Sequence, residues 1–273
     1  DQRLGKSAAR VVAAHIKEAP RLDDAILQSD LQPPFALYQR FDERVAERFG
    51  IAQVYERWQE LAVAPDLDAV VIGTWPYMHA PATLAALSAG KHVLCEKPMT
   101  LSKRQTTELY ELAASREVVL VEAIKTAFAP GFQRMVAVAR IGTIGTVRSV
   151  DATFTKLVHE GRELHGEDGG SISELATYPL LAIVKLLGTD YVDVRTYSYR
   201  PEGSEVELYS RIDIVYKHAI ASARTGIGVK AEGELVVAGT KGYVYVPAPW
   251  WLTEYFEARF ENQAHNKKYY YKF

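Results

Sequence analysis

A single cysteine, Cys95, stands in the 273 residues. One cysteine makes no internal disulfide, which favours a reducing compartment such as the cytoplasm. No run of about 18 uncharged apolar residues is present, so a membrane-spanning helix is not expected. Charge of one sign is lacking too: 32 Lys plus Arg face 34 Asp plus Glu, a net charge of −2. That balance has no basic excess for general nucleic-acid binding. Residues 1–20 are charged, without the apolar core of a secretory leader. His159 and His165 are not spaced as a His-Glu-x-x-His pair, and no carboxylate–histidine cluster suits zinc, so no metal is expected. Internal repeats and low-complexity linkers are absent. What is present is a hydrophobic fraction of 48%, which rules out a disordered chain. At roughly 150 residues per domain, the length suits about two domains.

The first half alternates helix and strand. Leu4, Ala8, Val11, Val12 and Ile16 recur at helical spacing ahead of Pro20, which predicts a helix over 4–16. A short strand is expected at 35–38, then a helix over 43–49 with Asp42 as N-cap, and another over 55–63. Residues 69–73 are apolar without alternation, the pattern of a strand buried on both faces. Helix 81–89 closed by Gly90, strand 92–95, helix 102–115 capped by Ser102 and strand 118–121 follow. This alternation indicates βαβ units and a parallel sheet.

Beyond Gly145 the pattern changes to long apolar/polar alternation. Val206, Leu208, Ser210, Ile212, Ile214 and Tyr216 share one face, as in an antiparallel strand with one buried side. Residues 235–237 and 243–246 flank Gly239-Thr240-Lys241-Gly242, a hairpin signal. One helix, about 172–187, interrupts this region and ends at Gly188. The expected fold is therefore α/β: a Rossmann-type parallel-sheet domain over 1–124, then an α+β domain with a mainly antiparallel sheet over 125–273.

Ligands of open parallel sheets bind outside the carboxyl ends of the strands. Two loops leave such ends: Gly73-Thr74-Trp75-Pro76 and Cys95-Glu96-Lys97-Pro98. A lysine placed there can hydrogen-bond a substrate hydroxyl, lower its pKa or relay a proton. Taken alone, Lys97 reads first as a solvated loop residue. The neighbours alter that balance. The stretch from Asp68 through Thr74, His79, Ala85-Ala86-Leu87 and Ala89-Gly90-Lys91-His92-Val93-Leu94-Cys95-Glu96-Lys97-Pro98 resembles the signature of the Gfo/Idh/MocA oxidoreductases, the glucose–fructose oxidoreductase and inositol dehydrogenase family. A second block, from Asp168-Gly169-Gly170 to Glu174-Leu175-Ala176-Thr177-Tyr178-Pro179, resembles that family's glycine turn and catalytic helix.

The resemblance implies that Lys97 and Tyr178 form the proton-transfer pair. Tyr178 would exchange the proton of the reacting hydroxyl while Lys97 lowers the relevant pKa. Glu174 stands where the family usually has Asp, four residues before Tyr178 and on the same helical face. It would contact the substrate or Lys97. Thr74, Trp75, Pro76, His79, Glu96 and Lys125 match positions at the cofactor crevice, and His165 and Asp168 precede the turn where they would reach the substrate. Structural or solvated roles are the competing readings of these last positions. Trp250 and Trp251, after Pro247-Ala248-Pro249, read as core packing or as lining of a sugar site.

A dinucleotide unit needs a first strand followed by Gly-x-Gly-x-x-Gly or Ala. Here Gly5 and Ala8 stand for the second and third positions, Arg3 occupies the first, and no strand precedes them. The chain thus reads as an incomplete view of a longer protein, short at both ends. After the expected strand at 35–38, Arg40 lies where the family usually has an acid for the ribose. A guanidinium suits a 2′-phosphate, which favours NADP over NAD.

The resemblance implies hydride transfer between NAD or NADP and a secondary hydroxyl or carbonyl of a sugar, cyclitol or related polyol. An NAD-dependent glycoside hydrolase and a non-catalytic nucleotide- or sugar-binding regulator are the alternatives on the same fold. Family members commonly associate through the antiparallel sheet, so a homo-oligomer, dimer or tetramer, is expected.

Overall fold

The computed structural model describes residues 11–14, 47–48, 53–55, 57–166 and 168–271. The chain divides into two compact units, Asp1–Ala123 and Ile124–Phe273. The first contains strands β1 (Val11–Ala14), β2 (Ala69–Ile72), β3 (His92–Cys95) and β4 (Leu120–Glu122), with helices α1 (Trp58–Val63), α2 (Pro76–Ser88) and α3 (Lys103–Ser115). All four strands are parallel, in the order β1-β2-β3-β4.

One expectation fails at β1. Within the segment read as a helix over 4–16, Val11–Ala14 is extended and pairs with β2 from Val11↔Ala69 to Ala14↔Ile72. Adjacent valines suit a pleated strand, and the open edge of β2 carries N–H and C=O groups that need a ladder partner. The rest of 4–16 and the strand expected at 35–38 lie outside the described residues. So does the helix expected over 43–49, apart from helical Glu47 and Arg48.

The double-sided burial read for the strands is realised on one face. Val70, Ile72, Val93 and Cys95 are buried with Ala82, Ala86 and Leu87 of α2 and Leu109 and Ala113 of α3, whereas Leu94 is 39% exposed. Helix α2 begins five residues before the expected Pro81. Pro76 takes the first helical position, where a missing N–H costs nothing, and Pro81 is carried inside. Ser102 caps α3 as read, its Oγ accepting the Gln105 N–H at 3.5 Å.

The second unit holds α4 (Lys125–Phe128), α5 (Pro130–Arg140), α6 (Gly170–Leu175) and α7 (Thr177–Leu187) against an eight-stranded sheet. Its strands are β5 (Val147–Thr155), β6 (Tyr191–Tyr199), β7 (Tyr209–Tyr216), β8 (Ile220–Gly226), β9 (Leu235–Gly239), β10 (Gly242–Val246), β11 (Tyr255–Phe260) and β12 (Lys267–Tyr270). They run in the order β12-β11-β10-β9-β5-β8-β7-β6, antiparallel except for the β5–β8 pair. The hairpin read at 239–242 joins β9 to β10 with Tyr243 opposite Ala238. In β7 the expected face is the buried one: Ser210, Ile212, Ile214 and Tyr216.

The core of this unit gathers Phe132 and Met135 of α5, Ile183 of α7, Val150, Phe256 and Trp250. Full burial of each large apolar side chain stabilises by about 1.5–3 kcal/mol. Trp250 is wholly buried and its Nε1–H donates to the Thr153 carbonyl at 2.9 Å, so its core reading stands. The single helix expected over 172–187 is broken into α6 and α7 at Ala176. Pro179 has no N–H to give the Leu175 carbonyl, so the ladder is interrupted there.

Candidate active site

In the first unit, the carboxyl ends of β2 and β3 open into the loops Thr74-Trp75-Pro76 and Glu96-Lys97-Pro98. His79 of α2, 1% exposed, ties them together: Nδ1 lies 2.7 Å from the Pro98 carbonyl and Nε2 lies 2.8 Å from the Thr74 carbonyl. Carbonyls only accept, so a neutral ring donates to one loop and a doubly protonated ring to both. His79 thus braces the two loops from beneath.

Glu122, at the end of β4, accepts the Met99 N–H at 2.8 Å on Oε1, and Ala123 donates its N–H to the Cys95 carbonyl at 2.7 Å. The exposed Glu96 folds back to accept the Lys97 N–H at 3.3 Å. Lys97 itself is half-buried. Glu122 was not singled out in the sequence; its one signal is an acid closing the last strand of the unit.

The indole of Trp75 packs edge-on to Tyr77, with centroids 5.9 Å apart. Its Nε1 is buried and has no hydrogen-bond partner among the described residues. A spare donor and an ammonium, outside the carboxyl ends of parallel strands, fit an anionic dinucleotide that accepts hydrogen bonds. Gly5, Ala8 and Arg40, the other cofactor positions read from sequence, lie outside the described residues.

In the second unit, Lys125 is exposed as the first residue of α4. The glycine turn is required by its surroundings. A Cβ on Gly169 would lie 2.3 Å from the His165 carbonyl oxygen, and Gly170 sits at φ +92°. Asp168 is buried beside them, whereas His165 is exposed with Nδ1 3.7 Å from Glu205, beyond hydrogen-bond reach.

Glu174 is engaged within its own unit. One carboxylate oxygen is 3.0 Å from Lys156 Nζ and the other 2.8 Å from Arg162 Nη2; Lys156 also holds Glu163 at 3.0 Å. Burial opposes the charge on Lys156, but Glu174 and Glu163 outweigh it and hold the ammonium pKa above its ordinary value. Burial likewise opposes the charge on Glu163, yet its own backbone N–H and Lys156 keep its carboxyl below the usual range. Sequence reading missed Lys156, Arg162 and Glu163, because a charge in a loop announces its partner only after folding.

Tyr178 is buried at the start of α7, its ring edge-on to Phe154 with centroids 5.1 Å apart, and Phe154 stacks on Trp251 at 3.7 Å. Trp251 is half-buried in this aromatic row, in contrast to Trp250. Among the described residues, no group of three or more His, Cys, Asp or Glu is placed to hold a metal ion, and no helix is long and apolar enough to cross a membrane.

A parallel α/β sheet with loops leaving its carboxyl strand ends, followed by a mainly antiparallel α+β unit, is a Rossmann-like architecture with a second sheet-based unit. Residues 25–123 match the family described as "Oxidoreductase family, NAD-binding Rossmann fold", GFO_IDH_MocA. The trans-1,2-dihydrobenzene-1,2-diol dehydrogenase of Bos taurus is 32% identical over 209 residues, 76% of this chain and 62% of that enzyme. The scyllo-inositol 2-dehydrogenase (NADP(+)) IolU of Bacillus subtilis is 28% identical over 225 residues, 75% of this chain and 68% of that enzyme.

Among solved structures, the 3-ketoreductase KijD10 of Actinomadura kijaniata, in complex with NADP and TDP-benzene, superposes with a TM-score of 0.74 at 23% identity, covering 84% of this chain and 72% of that one. Its fold is the one described above. Over residues 25–123 the chain matches the Gfo/Idh/MocA oxidoreductase family, and relatives with the names above extend the likeness beyond that segment. The chain spans 62% of the length of the bovine relative.

Proposed function

We propose that the protein transfers hydride between a nicotinamide cofactor and a secondary hydroxyl or carbonyl of a cyclic polyol or sugar derivative. The observation that carries this reading is the lysine-bearing loop Glu96-Lys97-Pro98, held at the carboxyl end of a parallel strand by His79 and Glu122. The three relatives named above support the substrate class, since their names specify a dihydrodiol, an inositol and a keto group.

The nicotinamide supplies the hydride chemistry when bound. Lys97, Trp75 and the Thr74 loop would hold it, with Gly5, Ala8, Pro76, His79, Glu96 and Lys125 as further positions of that site. In the oxidative direction the hydroxyl proton would pass to Tyr178 as its phenolate, giving the phenol, while the Lys97 ammonium would lower the relevant pKa and stabilise the negative charge on the reacting oxygens. The reductive direction returns the proton. Asp168, Glu174 and His165 are assigned to the substrate side. Because Glu174 is already engaged by Lys156 and Arg162, it serves by orienting the α6 turn rather than by moving a proton.

NADP is the preferred form in this reading. The support is Arg40 in the sequence and the NADP in the names of the inositol dehydrogenase and the ketoreductase. We place the enzyme in the cytoplasm on its single cysteine, and as a homo-oligomer through β6 and β7. On β6, Tyr191, Val192, Tyr197 and Tyr199 lie 57–60% exposed, and a cluster of exposed large apolar side chains suits an association surface.

The test is a panel of inositols, cyclic diols and aldoses assayed with NAD and NADP. Lys97→Ala and Tyr178→Phe should each lower turnover about a hundredfold or more while still binding NADPH. Turnover in both variants equal to that of the unaltered protein would overturn the assignment.

A further inference from the structure

The first turn of α6 starts without a side-chain cap, because its N-cap residue is Gly169. Its N–H groups therefore need acceptors from elsewhere. One residue far along the chain supplies two of them. Glu207 Oε1 accepts the Ile172 N–H at 2.8 Å, and the Glu207 main-chain carbonyl accepts the Ser171 N–H at 3.1 Å. Gly170 fits against that same carboxylate: a Cβ at this position would lie 2.4 Å and 2.5 Å from its two oxygens. The Gly-Gly pair is thus a shape as well as a turn. It admits the carboxylate to the start of the helix.

The next residue, Leu208, is anchored on both sides. Its N–H donates to the Tyr199 carbonyl, and its own carbonyl accepts from Ile227 and Gly228. Ser171 adds a hydroxyl chain, donating to Ser210 Oγ and accepting from Thr225 Oγ1, each at 3.2 Å, with all three residues wholly buried. The other end of α6 is caught by Lys156 and Arg162 through Glu174. Tyr178 follows two residues after the helix break at Ala176. In this arrangement Glu207 brings a carboxylate to the helix start, where it also complements the helix dipole.

We infer that Glu207 is a positioning residue for Tyr178: through the Gly169-Gly170 turn it sets where α6, and with it the start of α7, is held. The inference rests on the reading of Tyr178 as the proton-transfer residue. Glu207→Gln retains an acceptor at Oε1 and should keep kcat within about threefold. Glu207→Ala removes a charge-assisted bond and should lower kcat about ten- to hundredfold, with the Kd for NADPH unchanged. Gly170→Ala pushes the carboxylate aside, so adding Glu207→Ala to it should lower kcat by less than that substitution does alone.

An unchanged kcat in Glu207→Ala would overturn the inference. So would a Glu207→Gln variant as impaired as Glu207→Ala, or a loss seen in NADPH binding instead of kcat. If the unaltered protein transfers no hydride to any substrate, the functional reading fails by itself. The clamp is then read from amide hydrogen exchange at Ser171 and Ile172, which should quicken in Glu207→Ala and not in Glu207→Gln; equal exchange in all three proteins would refute it.

Discussion

Cys95 shows what a single residue contributes when its surroundings are apolar. It is wholly buried at the end of β3, and burial pushes its thiol up to about 12. The thiolate is the reactive form, so native protein at pH 8 should leave an aromatic disulfide reagent almost unconsumed, and denatured protein should consume one equivalent. Rapid native labelling would contradict this. That Cys95 lies in a strand was legible from the apolar run 92–95. The role of His79 was not, because its two carbonyl contacts, Thr74 and Pro98, lie five and 19 residues away along the chain. A motif locates a histidine in a crevice; only the folded loops show that it braces their backbones.

Between residue and fold stands α6, whose far end is pinned by Lys156, Arg162, Glu163 and Glu174. The pH dependence follows from the two shifted groups. Glu163 has a lowered carboxyl pKa, so its contribution is complete above the ordinary carboxylate range and is lost as pH falls through the lower folded value. Lys156 has a raised pKa, so its contribution is complete below the ordinary lysine value and is lost as pH rises through the higher one.

Resistance to urea should therefore be flat near neutrality and decline below about pH 4 and above about pH 11. Both side chains keep contact with water, 35% and 20% exposed, so Glu163→Gln should remove only about 1 kcal/mol or less of the acid-side loss. An acid limb identical in Glu163→Gln and the unaltered protein would refute the assignment. Of this element the sequence disclosed the glycine turn and the spacing of Glu174 from Tyr178. It did not disclose the break at Ala176, because one proline lacking an N–H is a weak signal beside a long apolar helical pattern.

At the scale of the whole molecule, each unit has a core of its own. Val70, Leu87 and Leu109 belong to one, and Phe132, Ile183 and Trp250 to the other, against which Ile124 packs at the very start of the second unit. A fragment comprising 124–273 should accordingly fold alone, unfolding in one cooperative urea transition with near-UV dichroism from its packed aromatic residues. A fragment with secondary structure but no near-UV signal would show that it depends on residues 1–123. The change of pattern from helix–strand alternation to long apolar/polar alternation was visible in the sequence, because side-chain period follows directly from backbone geometry.

The sequence by itself determined the class of fold, the strands β2, β3, β7, β9 and β10, the capped helix α3 and the motifs that carry Lys97 and Tyr178. These rest on short-range rules: period, capping and turn chemistry act within a few residues. Tertiary structure alone decided that Val11–Ala14 is a strand, since extended and helical forms of that segment differ little until β2 offers its edge. It also decided that Glu174 is held by Lys156 and Arg162, and that Glu207 meets the turn at Gly170. Hydrogen bonds and ion pairs across many residues form only when the chain has brought both members together, and no local pattern records them.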